Sequence, residues 1–313
     1  MRILVTGADG FIGRALVERL SNGALDGNPI DELVLVDRAF GRRIDGPGIR
    51  TLAGDIDDAG LLRQAIGEGV DCVFHLASVP GGAAEADFEL GQRTNLLATI
   101  RLLDVLRSQG SRARFVFAST IGVYGVPLPF LIDEDSVPEP SMSYGSQKLV
   151  AEILVHDGTR RGFIDGRSLR LPGIVARPGA SGMLSAFMSE LIRRLAAGQP
   201  FTCPVSAEGM SWWMSRSCVT ENLVHAARLS PEQARQRRVW LLPVLHASMG
   251  AVVAALGRVH GEDRLALVKY EPNAALQAQF ASYPPLECPS SLAAGFRNDG
   301  TLENLVRRAL EGP

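Results

Sequence analysis

Lysine is the scarcest residue in this chain, with only Lys148 and Lys269 against thirty arginines in 313 residues. Charge of one sign is lacking too. The 32 basic and 34 acidic side chains leave a formal net charge of −2, so no bulk field is available to hold nucleic acid or an anionic membrane surface. No apolar run approaches the roughly 18 residues of a membrane span. The four cysteines, Cys72, Cys203, Cys218 and Cys288, show no C-x-x-C spacing, which argues against a zinc site or a disulfide framework. Reduced thiols and a cytoplasmic protein without a signal peptide are expected. His75, His156, His225, His246 and His260 lack metal-ligand spacing and read as structural or surface residues, with no metal site expected.

What is present is a globular balance, 46% hydrophobic and 21% charged, which fits neither disorder nor coiled coil. In the first half, short β-branched runs at 2 to 6, 33 to 36, 49 to 52, 72 to 76, 114 to 118 and 167 to 171 fit buried parallel strands. Helical spacing fills 11 to 22, 58 to 67, 88 to 109 and 144 to 161 between them. This alternation predicts an α/β fold with a doubly wound parallel sheet covered on both faces. Beyond residue 172, prolines break shorter elements, with helices predicted at 182 to 197, 219 to 228, 247 to 259 and 301 to 311. A Rossmann-type domain over 1–171 and a smaller C-terminal substrate-binding lobe over 172–313 are expected, with some segments of the second returning to the first.

The first strand runs into Thr6-Gly7-Ala8-Asp9-Gly10-Phe11-Ile12-Gly13 and then a helix. Gly7 suits a tight turn, Gly10 lets backbone N–H groups approach a pyrophosphate, and Gly13 lets helix and strand pack closely. Asp37 ends the second strand 24 residues after Gly13, where a carboxylate can accept from an adenosine ribose and repel a 2′-phosphate. NAD is thereby favoured over NADP, although Arg38, Arg42 and Arg43 could pair with that phosphate. Asp37 could otherwise cap a strand. Asp55-Ile56 follows the third strand, where the acid could meet the adenine or be a solvated turn residue.

Tyr144-Gly145-Ser146-Gln147-Lys148 sets a tyrosine and one of the two lysines at i and i+4 on one helix face. A phenol that ordinarily titrates near pH 10 needs a nearby cation to act as a base, and an ammonium one turn away supplies it. With so few tyrosines and lysines, random placement yields such a pair about 3% of the time. Ser119 and Thr120 follow the fifth strand, at the carboxyl rim where open α/β sheets bind ligands. Either would complete a hydroxyl, Tyr, Lys triad; Ser119 could also be a cap.

These features, with His75-Leu76-Ala77-Ser78, Asn95 and Val123-Tyr124-Gly125, resemble in order the extended short-chain dehydrogenase/reductases, which include NAD-dependent nucleotide-sugar epimerases and dehydratases. The resemblance covers about residues 1 to 180. It implies that Tyr144 takes a hydroxyl proton while hydride leaves the same carbon for NAD, with Thr120 steadying the oxygen and Lys148 also holding the ribose. It implies a cofactor surface of Gly7, Asp9, Gly10, Phe11, Ile12, Gly13, Asp37, Arg38, Asp55, Ile56, Leu76, Ala77, Ser78, Asn95, Pro172 and Ile174. Ser78, Ser119, Thr120 and Tyr144 would face substrate, and the helices at 88 to 109 and 144 to 161 would pair two subunits. Leu96, Leu97, Ile100, Leu103 and Leu106 give the first of these helices surplus apolar surface, so a homodimer is expected.

The substrate reading rests on a departure from the nucleotide-sugar pattern. Leu171-Pro172-Gly173-Ile174-Val175-Ala176-Arg177-Pro178-Gly179 replaces the usual Asn and Gly-Pro-Arg segment, and Arg177 offers a fork to a carboxylate. Ser181, Gly182, Ser185 and Ser189 are small, and Trp212, Trp213 and Arg216 add aromatic walls and a cation. This part resembles dehydrogenases of small sugar acids, the D-erythronate type most closely, and implies Arg177, Ser185 and Trp213 as substrate contacts. Arg177 could instead make a structural ion pair, and the tryptophans could be core. A nucleotide-sugar epimerase or dehydratase with tightly bound NAD is the alternative. Ile121-Gly122 stands where a dehydratase usually carries Asp-Glu. A non-catalytic NAD-binding sensor is a further alternative, disfavoured by the retained Tyr144 and Lys148.

Overall fold

The computed structural model describes residues 1–21, 25, 27–110, 112–179 and 185–311. Twelve strands are found among them: β1 (Arg2–Thr6), β2 (Glu32–Asp37), β3 (Ile49–Ala53), β4 (Cys72–His75), β5 (Arg114–Thr120), β6 (Asp165–Leu171), β7 (Gly173–Ile174), β8 (Phe201–Cys203), β9 (Met210–Met214), β10 (Val239–Leu241), β11 (Leu245–Ser248) and β12 (Val268–Tyr270). Seven form one sheet in the order β10-β6-β5-β4-β1-β2-β3. Its β1–β2, β2–β3, β1–β4 and β4–β5 pairs are parallel. The order reverses beside β1, so the crevice at the carboxyl ends of β1 and β4 is where such a sheet accepts a ligand.

The chain divides into two compact units. The first comprises Met1–Val123, Pro140–Arg170 and Thr220–Trp240. Its inner strands β1, β2, β4 and β5 are largely apolar and buried on both faces, and Leu4, Val34, Val73, Phe115 and Phe117 share a core with Leu62, Leu102, Leu106, Ala151 and Val155 of the covering helices. Each of these Leu, Val and Phe side chains contributes about 1.5–3 kcal/mol by leaving water. The second comprises Tyr124–Glu139, Leu171–Val219 and Leu241–Pro313. There β9 pairs parallel with β7 and antiparallel with β11. Trp213, Leu191, Leu195, Val252, Leu256 and Leu305 form its core.

Two helices differ from expectation. The span expected as one helix over 88 to 109 has three parts: Phe88–Gly91, a wide π-helical turn Gln92–Leu97, and Ala98–Gln109. The turn places Asn95 inward, 1% exposed, where its amide holds both polar groups of Val79. A residue accommodated this way interrupts the 3.6-residue period locally, and such turns recur at functional sites. The helix expected from 182 runs over Ala186–Ala196. Ser181 and Gly182 lie outside the described residues.

Candidate active site

The glycine turn is built by close approach. Gly7 has φ +70°, and the N–H groups of Gly7 and Ala8 both donate to the Val36 carbonyl, at 2.9 and 3.2 Å. A Cβ on Gly7 would stand 2.7 Å from the Ala77 nitrogen, and one on Gly13 would stand 2.0 Å from the Gly7 carbonyl oxygen. Only glycine lets helix Phe11–Ser21 start directly over the end of β1. The Asp37 carboxylate accepts from Asp9 N–H at 2.8 Å and from Arg38 N–H at 2.7 Å, which fixes it beside the turn. The Asp9 carboxylate is held by Arg14 at 2.9 Å and by Gly41 N–H at 2.8 Å. Burial pushes the Asp9 carboxyl up, but the Arg14 and Gly41 hydrogen bonds outweigh it and leave it below the usual range. A helix N-terminus over a side-chain-free turn, with a fixed carboxylate at the next strand end, fits the pyrophosphate and ribose of a dinucleotide.

Other residues expected near the cofactor take varied positions. Asp55 is exposed in the turn after β3, 3.5 Å from Arg93, whereas the Ile56 side chain packs into the core. Arg38 is exposed. Arg43 pairs with Asp45 at 2.6 Å. The Ser78 hydroxyl donates to the Asn95 side-chain oxygen at 3.0 Å, and Asn95 donates in turn to Gln147 at 2.8 Å. His75 is fully buried between Thr6 at 2.7 Å and Thr99 at 2.9 Å. Thr99 gives its own proton to the Asn95 carbonyl, so Nε2 of the imidazole carries the hydrogen and Nδ1 accepts from Thr6. Burial, and then the charge of Lys148, push His75 down to about 3, so it is neutral.

Tyr144 and Lys148 occupy one face of helix Ser143–Arg160. Gly145 seats that helix, because a Cβ there would lie 2.3 Å from the Gly122 carbonyl oxygen. The same approach brings Tyr144 beside the turn that follows β5. A Cβ on Gly122 would be 3.3 Å from the Thr120 hydroxyl and 3.9 Å from the Tyr144 ring. The Thr120 hydroxyl accepts from Gly122 N–H at 3.0 Å. Lys148 is 1% exposed, donates to the Ala118 carbonyl at 2.9 Å, and lies 5.9 Å from the Tyr144 ring centre and 4.7 Å from that of Phe117. Burial pushes its ammonium down to about 7, against the upward pull of Glu152.

The two hydroxyls of β5 diverge. Ser119 is 3% exposed and donates to Glu152, which Arg170 grips through Nε at 3.1 Å and Nη2 at 2.8 Å. Neither Glu152 nor Arg170 belongs to a motif of its own. The available signal was position: Glu152 lies four residues beyond Lys148 and eight beyond Tyr144, on one helix face. In the second unit, Trp213 is fully buried and its indole N–H donates to the Ala247 carbonyl at 2.9 Å, so it serves the core rather than a pocket wall. Trp212 is likewise core, 1% exposed against Tyr283. Arg177 and Ser185 are partly exposed, and Ser189 is buried. Arg177 follows Ala176, whose φ of +62° is a left-handed conformation that costs a non-glycine residue about 1 kcal/mol or more. Pro172 is buried and Ile174 half-buried, on the chain around β7.

No helix among the described residues is long and apolar enough to cross a membrane, and none of their His, Cys, Asp and Glu side chains form a metal-holding group. Residues 3–214 match the NAD dependent epimerase/dehydratase family. The chain is 38% identical to D-erythronate dehydrogenase of Cupriavidus necator, over 99% of this chain and 98% of that one. It is 32% identical to D-erythronate dehydrogenase of Haemophilus influenzae, over 99% of each chain. Among solved structures, a nucleoside-diphosphate-sugar epimerase from Agrobacterium tumefaciens superposes with a TM-score of 0.90 at 34% identity, covering 98% of this chain and 92% of that one. The glycine turn with its Asp37, the Tyr144–Lys148 helix and these full-length similarities agree: the chain belongs to the NAD-dependent epimerase/dehydratase family of extended short-chain dehydrogenase/reductases and is an NAD-dependent oxidoreductase.

Proposed function

We propose that this protein oxidises a hydroxyl group of a small sugar acid, D-erythronate or a close analogue, with Tyr144 as the base. The observation that carries the substrate is full-length similarity to two D-erythronate dehydrogenases, which extends through the second unit and past residue 214, where the family match ends. The glycine turn of Gly7, Gly10 and Gly13 would hold the NAD pyrophosphate and Asp37 the ribose; NAD, when bound, supplies the hydride acceptor. The Lys148 ammonium beside the Tyr144 ring favours the charged phenolate, which takes the proton of the substrate hydroxyl. Thr120, adjoining that ring, steadies the substrate oxygen. Ser119, committed to Glu152, acts by keeping the floor beneath Lys148 fixed.

The second unit would recognise the acid, with the Arg177 guanidinium opposite the carboxylate and Ser185 among its polar contacts. The exposed apolar side chains Phe88, Leu97, Val150 and Ile153 on the helices around 88–109 and 143–160 support pairing of two copies into a homodimer. Four free, buried thiols suit a reducing, cytoplasmic setting. The test is NAD reduction followed by absorbance with purified protein. D-Erythronate should give sustained turnover, and UDP-hexoses none. Turnover of a UDP-hexose without net NADH, and silence with four-carbon aldonates, would replace this reading with an epimerase.

A further inference from the structure

The amino edge of the large sheet, opposite the glycine turn and Thr120, holds a cavity of about 710 Å³ lined wholly by the first unit. That size lies within the range of small-ligand sites, roughly 300–1,000 Å³. Four arginines line it, Arg112, Arg114, Arg235 and Arg238, together with Asp71 and Asp165; the Arg114 guanidinium also donates to the Ala227 carbonyl at 3.1 Å. Arg114 and Asp165 are the first residues of β5 and β6, and Arg238 directly precedes β10. Because β5 runs seven residues from Arg114 to Thr120, the cavity lies about 20 Å from the reacting groups.

The two carboxylates are already committed. Asp71 accepts from the Arg2 backbone N–H at 2.6 Å. Asp165 takes the fully buried Arg167 on one oxygen at 2.8 Å and Arg238 on the other at 3.2 Å. The cavity therefore gathers more positive charge than its own acids offset. Arg112 is exposed and held at φ +46°, a left-handed conformation uncommon for a side chain of this length and frequent at binding sites. Arginines brought to one cavity from a loop, a strand end and a helix supply forked guanidinium groups suited to the oxygens of a phosphate or a carboxylate.

We infer that this amino-edge cavity is a second ligand site, one that takes a small anion carrying two or more negative charges, phosphate ester or polycarboxylate. It is separate from the oxidoreductase chemistry at the carboxyl edge. Neither Arg112 nor Arg235 touches that chemistry, and both are exposed, so Arg112→Gly and Arg235→Ala should fold and take up NAD normally.

The experiment is calorimetric titration of the NAD-saturated protein at low ionic strength, with inorganic pyrophosphate in one arm and citrate in the other. Saturation with NAD blocks the glycine turn. The expected result is saturable binding at one anion per chain in at least one arm, weakened about tenfold by each substitution. Preference for pyrophosphate identifies a phosphate ester as the natural class, and preference for citrate a polycarboxylate. No saturable binding in either arm, or binding that both variants leave unchanged, overturns the inference.

Discussion

Arg170 spends its burial on two hydrogen bonds to the Glu152 carboxylate, whereas Lys148, buried one turn earlier on the helix that carries Glu152, donates to the neutral Ala118 carbonyl. A guanidinium holds its proton in almost any protein environment, so Arg170 is a fixed charge and an anchor. An ammonium does not: Lys148 is pushed to about 7 by burial and can gain or lose its proton near neutrality. The carboxylate that steadies the anchor also sets how far the lysine falls. Under the proposed mechanism, function sits with the badly compensated cation and stability with the well compensated one.

The largest effect should come from the group that Lys148 serves. Tyr144→Phe should lower kcat by about a thousandfold or more while NAD uptake, followed by fluorescence, stays near normal. Full activity in that variant would remove the proposed mechanism and make the Lys148 environment a structural accident.

Next, the two cations should answer with opposite signs. Arg170→Met strands the Glu152 carboxylate and should cost roughly 3–5 kcal/mol in urea unfolding. Lys148→Met removes a charge whose burial is unfavourable. The folded pKa of about 7 lies below the ordinary 10.5, so between them the unfolded chain binds a proton that the folded one does not. The burial cost is therefore fully felt below pH 7 and fades as pH rises toward 10.5. At pH 6 Lys148→Met should gain about 1–2 kcal/mol of stability while losing activity, even after the Ala118 carbonyl loses its partner. Destabilisation by both variants at pH 6 would break the contrast.

The smallest effect on activity concerns His75, neutral in the fold and pushed to about 3 by burial and then by Lys148. Between pH 6.5 and 3 the unfolded chain takes up a proton that the folded chain refuses, so stability falls as pH falls. The slope from this group is at most about 1.4 kcal/mol per pH unit. His75→Gln, which can still bond both threonines, should flatten the dependence of the urea midpoint between pH 6.5 and 4. An unchanged slope would assign acid sensitivity to other groups.

Most of the sheet could be read directly. β1 and the neighbouring β2, β4 and β5 carry near-continuous apolar runs, because a parallel strand inside the sheet is buried on both faces, whereas β3, at the sheet edge, mixes Arg50 and Thr51 with apolar residues. The short strands β7 to β12 could not be read, since two to five residues with mixed polarity carry no period. Asn95 was flagged only through resemblance, and the π-helical turn that points it inward leaves no mark in the apolar spacing. Trp213 looked like a pocket wall because an aromatic residue among serines is ambiguous until its burial is known.

By itself, the sequence determined what a single turn of backbone can impose. Those features are glycines where a helix must start against a strand end, Asp37 closing the next strand, and a phenol and an amine four residues apart. Tertiary structure decided what depends on chain segments meeting from afar. It joined Ser119 and Arg170 on Glu152, sank Trp213 into the core, and gathered Arg112, Arg235 and Arg238 around one cavity. Local spacing follows from helix and strand geometry, whereas these encounters are fixed only when the whole chain has packed.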